Sequence, residues 1–181
     1  RTAFYRRQAF RTGSSPASTG VGGLYADGSA LGLAGWALQG REDGARAVEV
    51  GSPLQCPAPN YGSSFSRAME LRAGGSRRLF VSGTASIAAG GESMWTGDIH
   101  RQIERTMEGI AALLASRDFG WADVDRATAY LKSAADLPHW ERWLERHGLS
   151  RLPYVSVEGA VCRDDLLFEL EVDASAPAIS F

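Results

Sequence analysis

The sequence predicts an α+β fold, a single mixed sheet with two helices on one face. Three observations predict it. Short segments alternate apolar and polar residues, the period of a strand. Two longer segments repeat apolar residues at helical spacing. Their order along the chain is strands, helix, strand, helix, two strands. The second face of such a sheet must also be covered, and a domain of this size usually does that in an oligomer.

The chain has 181 residues, enough for one domain with an appendage, and 44% hydrophobic residues, enough for a packed core. A net charge of −2 offers no basic field, so nucleic acid is not an expected partner. No apolar run reaches the length of a membrane span, and no signal-peptide pattern opens the chain, so a cytoplasmic location is expected. The first residue is Arg1 rather than Met, which suggests a fragment or a processed form. Cys56 and Cys162 lie far apart and the three histidines are scattered, without metal-type spacing. Neither a disulfide framework nor a zinc site is expected.

Residues 1–12 are basic and aromatic and read as the tail of a helix, with Phe4, Tyr5 and Phe10 as packing residues. Residues 13–23 are rich in Gly, Ser and Pro and read as a loop. Residues 1–23 thus form an appendage to a domain at 24–174. Residues 30–38 and 45–50 read as two strands of a hairpin. Pro53, Pro57, Pro59 and Gly62 make residues 51–65 a long loop, a place where function often resides. Strands follow at 65–71 and 78–87, then a loop at 88–97. Asp98 caps a helix running to about Arg117, whose apolar face is Ile99, Ile103, Met107, Ile110 and Leu114. On its other face Glu104 opposes Glu108 and Arg101 opposes Arg105, repulsions that neighbours must offset. Residues 124–132 read as a strand. A second helix starts at Asp136 and Pro138, carries Trp140, Trp143 and Leu144, and ends at Gly148. Residues 152–173 read as an antiparallel strand pair around a turn at Arg163, Asp164 and Asp165, and 175–181 as a patternless tail.

That last pair holds three reactive side chains, Cys162, Arg163 and Glu169. Glu169 stands between Phe168 and Leu170. It is either an outward residue of a half-exposed strand or a carboxyl whose charged form burial makes costly, hence a tuned acid or base. Cys162 alone reads more readily as a small buried hydrophobe than as a nucleophile, and Arg163 alone can be a turn residue paired with a neighbouring aspartate.

RLFVSGTASI at 78–87, the Gly97, Asp98 and Gln102 of the first helix start, and LPYVSVEGAVCRDDLLFELEVDA at 152–174 resemble the chorismatase family within the RidA/YjgF superfamily. PASTGVG at 16–22 and the NYG and FSRA segments within 60–68 extend the resemblance, which covers about 16–174. It implies a chorismate-mutase-like barrel of three subunits with ligand clefts between them, and no metal or organic cofactor. It implies a small carboxylate substrate, chorismate, whose enolpyruvyl group leaves as pyruvate. A cysteine at Cys162 and a glutamate seven residues on, Glu169, resemble the subgroup that yields 3-hydroxybenzoate. Full chorismatases are about twice this length, so the chain resembles their C-terminal half. The roles carried over are Glu169 as general acid/base, Cys162 as pocket former, nucleophile or proton donor, and Arg163 and Arg67 as carboxylate clamps. Tyr61, Gly83, Thr84 and Tyr154 are the further substrate-binding residues.

The chain departs from that family in two loops. AAGGESMWT at 88–96 is longer by a residue and has Trp95 where a histidine is expected, and the loop after Gly62 is shorter. Imine deaminases of the superfamily use an arginine in the strand that here reads LPYVS, and Val155 occupies its place. Three functions follow: a chorismatase-like hydrolase, a related enzyme on another small unsaturated acid, or a non-catalytic metabolite-binding trimer.

Overall fold

The structure, a computed structural model, describes residues 15–23, 27–35, 37–38, 40 and 44–178. The helix expected over 1–12 lies outside the described residues. Six strands form one sheet: β1 (Ala45–Val50), β2 (Ala68–Ala73), β3 (Ser76–Ala85), β4 (Val124–Leu131), β5 (Tyr154–Glu158) and β6 (Phe168–Pro177). Their spatial order is β1-β2-β3-β6-β4-β5. Every neighbouring pair is antiparallel except β4 and β5. Helix α1 (Ile99–Ala115) crosses from β3 to β4, and α2 (Leu137–Arg146) from β4 to β5. A parallel neighbour requires such a crossover, because a tight turn can only reverse the chain.

Both helices pack on one face of the sheet, as the periodicities predict. Asp98 accepts the Arg101 backbone N–H at 3.0 Å and so starts α1. Ile103, Met107, Ile110 and Leu114 are then buried against Leu79, Val81, Leu170 and Val172. Trp140 and Leu144 of α2 pack in the same core, with Phe168 5.1 Å from Trp140 between ring centres. Each fully covered Leu or Ile contributes roughly 1.5–3 kcal/mol. The like-charge pairs of α1 are offset by neighbours. Glu104 accepts the Trp143 indole N–H at 2.6 Å, Arg105 pairs with Glu108 at 3.1 Å, and Arg101 lies 4.5 Å over the Trp95 ring. Among the described residues no helix is long and apolar enough to cross a membrane.

Several expectations are corrected. Residues 30–38 form no strand among those described, and Leu31 and Leu33 are exposed; β1 pairs with β2 instead. The strand expected at 65–71 begins at Ala68, and the one at 78–87 runs from Ser76 to Ala85. Residues 152–173 are not a hairpin. β4 lies between β5 and β6, which never pair. The α2 crossover sets β5 parallel on one side of β4, and the chain from 159 to 167 must return across it to reach the other side. Strand β6 also continues to Pro177, because β3 supplies partners as far as Ser76, so residues 175–177 of the expected tail are strand.

Candidate active site

Strand parity decides which side chains of β6 meet which surroundings. Phe168, Leu170 and Val172 enter the helix-side core. Glu169 and Glu171 therefore face the opposite side. Glu169 pairs in register with Ala85 and Tyr130, which belong to a second apolar cluster with Ile87, Val161 and Leu166. The sequence leaves Glu169 open as a solvated residue or a buried acid, and the structure makes it buried, at 4% exposure. Its Oε2 is fully covered and has no hydrogen-bond partner among the described residues. Burial pushes the carboxyl up to about 7; Glu171 adds to the rise and Arg67 opposes it. Such a group is about half protonated at neutral pH, so a large share of it carries a proton that it can give up.

Gly83 makes this placement possible. A β-carbon there would sit 1.8 Å from Glu169 Oε1 and 2.7 Å from the Thr19 methyl. The register of β3 on β6 shifts between Val81 and Thr84, so Gly83 lies at a bulge, where a missing side chain lets another group approach.

Beside Glu169 stands a cluster of two guanidinium groups and a phenol. Arg67 is buried and donates through Nε and Nη2 to the Cys56 carbonyl at 3.1 and 3.0 Å. It lies 5.3 Å over the Tyr61 ring and 5.4 Å over Phe65. Arg163 lies 4.9 Å over the same Tyr61 ring and donates through Nη1 to Gly91 O at 2.8 Å and Ser93 Oγ at 3.3 Å. Tyr61 thus carries two cations on its ring. Burial pushes its phenol up, against the pull of both arginines. Gln102 holds the segment bearing Cys162 and Arg163. Its amide donates to Asp165 O at 2.9 Å and accepts Leu167 N–H at 2.7 Å. Cys162 is exposed, yet its surroundings desolvate the thiol and push its pKa up; Glu169 adds to this and Arg163 opposes it. It is therefore a thiol at neutral pH, which suits a pocket wall or proton donor better than a thiolate nucleophile.

The structure brings together Glu169, Cys162, Arg163, Arg67, Tyr61 and Gly83. It does not bring Thr84 or Tyr154 to them. The bulge at Gly83 turns Thr84 to the helix side, where its methyl faces Gly109 of α1 and its hydroxyl donates to Ser82 O at 2.9 Å. Tyr154 pairs in register with the core residue Ala127 and packs edge-on against Trp140 at 5.7 Å, on the sheet face away from Glu169. The residues that sequence reasoning missed are Thr19, whose hydroxyl accepts the Gly83 N–H at 2.9 Å, and Cys56, whose carbonyl anchors Arg67. Thr19 lies in the PASTGVG segment, which was a usable signal; Cys56 had none. Among the described residues, no three His, Cys, Asp or Glu side chains are grouped to hold a metal ion.

The chain is similar to known proteins both in sequence and in structure. The chain is 35% identical over 119 residues to a chorismatase of Streptomyces rapamycinicus, covering 59% of this chain and 35% of that protein. The RutC family protein PH0854 of Pyrococcus horikoshii is 32% identical over 97 residues, 53% of this chain and 77% of that one. In structure, a chorismatase crystal structure superposes with a TM-score of 0.61 at 25% identity, over 71% of this chain and 44% of that one. A YjgF/YER057c/UK114 family protein from Mycobacterium tuberculosis, Rv2704, gives 0.56 at 24% identity, over 72% and 100%. The chain thus spans about a third of the length of the chorismatase it matches in sequence. Residues 57–176 match the sequence profile of the family described as Endoribonuclease L-PSP. On that match and on its six-stranded, two-helix fold, the chain belongs to the Endoribonuclease L-PSP, or RidA/YjgF, family.

Proposed function

We propose that this chain carries the catalytic centre of a chorismatase-like hydrolase, with Glu169 as its general acid/base. The observation that supports this most is a buried carboxyl, raised to about 7, whose Oε2 has no hydrogen-bond partner among the described residues and which stands beside two arginines. An enol ether is cleaved by protonating its methylene carbon. Glu169 gives that proton, and the carboxylate left behind stabilises the oxocarbenium ion. Water adds to the cation, and the hemiketal collapses to pyruvate and a ring alcohol. Loss of a further water from the ring gives a hydroxybenzoate. Chorismate carries two carboxylates, and Arg67 and Arg163 are the cations available to hold them. Cys162, exposed at the rim, contacts the ring. The likeness to a chorismatase supports the substrate, and the cysteine-to-glutamate spacing supports the 3-hydroxybenzoate outcome. We further propose a homotrimer, in which a neighbouring subunit covers the exposed Val155 and Val157 of β5.

The test is incubation of the chain with chorismate, following pyruvate by a coupled reductase and the aromatic acid by absorbance. Release of both products supports the proposal, and neither product contradicts it.

A second reading is favoured by Trp95, which stands where a chorismatase histidine is expected and stacks on Arg101 at the start of α1. A site without that imidazole suits a related enzyme acting on another small unsaturated acid, with Glu169 in the same role.

A further inference from the structure

The segment 15–22 crosses the face of the sheet that bears Glu169 and is tied down on both sides of it. At one end, Ser66 N–H donates to Pro16 O at 3.0 Å and the Ser66 hydroxyl donates to Ser15 O. Next, Ser18 N–H donates to Ser82 Oγ at 2.9 Å, and that hydroxyl donates to Ser66 O at 2.5 Å. In the middle, Thr19 Oγ1 accepts Gly83 N–H at 2.9 Å. At the far end, Gly22 and Ala160 exchange backbone hydrogen bonds of 2.7 and 2.8 Å. Three structural neighbours lack side chains or nearly so where the segment passes. A β-carbon at Gly159 would lie 2.8 Å from a Val21 methyl and 2.9 Å from Gly22 O, Ala160 is small, and Gly83 leaves room for both the Thr19 methyl and the Glu169 carboxyl.

We infer that residues 15–22 act as a strap that shuts water away from Glu169, and that Thr19 is the positioning residue that seats it. The inference rests on Glu169 being the proton donor, and adds the element that keeps it protonated. The Thr19 hydroxyl fixes the strap on the bulge of β3, and its methyl closes the space above Gly83 next to the carboxyl. The remaining charged and titratable groups around Glu169 are Glu171 on β6, Tyr130 on β4, Tyr61 and Arg67 ahead of β2, and Cys162 and Arg163 on the loop ahead of β6. None of these is on the strap, which acts by excluding water rather than by charge.

The test is the titration of the Glu169 side-chain carboxyl by ¹³C NMR, which needs no substrate and so stands apart from the question of chorismate turnover. Wild type titrates near 7. Thr19→Val keeps the shape of the residue and loses the acceptor; Gly159→Ala displaces the strap at its other end without touching Glu169. Both titrate about one pH unit lower as water reaches the carboxyl, while Thr19→Ser, which restores the hydroxyl, returns toward wild type. Far-ultraviolet circular dichroism verifies that each variant is folded. Folded Thr19→Val and Gly159→Ala proteins that titrate as wild type overturn the inference.

Discussion

Gly83 and Glu169 occupy neighbouring strands so closely that a single methyl group on the glycine would overlap the carboxylate, at 1.8 Å from Oε1. The acid is thus built from two residues, one that supplies the group and one that supplies the space. The cost of filling the space is steric, since Gly83 is not among the residues in left-handed backbone conformation.

Gly83→Ala therefore forces Glu169 or the strand to move. The variant is expected to lose at least about 100-fold in kcat and to melt several degrees lower, as overpacked sites cost roughly 1–3 kcal/mol. Steady-state kinetics and thermal denaturation measure both.

Glu169 also fixes a pH dependence of stability. Its carboxyl titrates at about 7 when folded, against an ordinary value of 4.5. Between these values the folded state holds a proton that the unfolded state has lost. Stability is therefore greatest below about 4.5 and falls as pH rises through 7, by about 3 kcal/mol from this group. Glu169→Gln removes that slope. Urea denaturation of both proteins at pH 5 and pH 8 is expected to show the variant gaining on wild type at the higher pH.

A different carboxylate works in the other direction. Glu70 is buried and accepts from Arg77 at 2.8 Å, from Arg72 at 2.9 Å and from Arg117 at 2.5 Å. Burial works to raise its pKa, but these three arginines prevail and hold it below the ordinary value. It contributes stability above about 4.5 that is lost as pH falls. Glu70→Ala leaves Arg77 buried without its partner and is expected to cost about 3–5 kcal/mol at pH 7 by urea denaturation, with the difference narrowing in acid.

Arg67 is predicted to serve substrate and acid together. Arg67→Lys keeps the charge and loses the fork that grips the Cys56 carbonyl and stacks on Tyr61. The expected result is a KM raised by about tenfold or more, with Glu169 still titrating near 7. Arg67→Met removes the opposing charge as well, and the Glu169 titration is expected to move higher.

The legible parts of this fold were those whose signal is local. Ile103, Met107 and Ile110 recur at the period of a helix that truly buries them, and the strand-helix-strand order of 124–158 already implies a parallel pair. Residues 152–173 misled because two alternating runs around Arg163 to Asp165 look like a hairpin from within, and only the position of β4 forbids it. Residues 30–38 are apolar but find no strand partner. The site followed the same division. Glu169, Arg67, Arg163, Tyr61 and Gly83 sit in short segments with distinctive residues. Thr84 and Tyr154 lie on the other face of the sheet, one through the bulge at Gly83 and the other through its register with Ala127. Thr19 was invisible as an individual residue, because a hydroxyl reaching a backbone N–H 64 positions away leaves no local pattern.

The account turns on Glu169 giving its proton to substrate, and the pH profile of kcat for pyruvate release from chorismate tests that most directly. The acid must be protonated, so kcat is expected to hold steady at low pH and to fall as pH rises through about 7, and Glu169→Gln to lose at least about 1,000-fold at every pH. A wild-type profile flat through that range, or a Glu169→Gln enzyme with wild-type turnover, would contradict it.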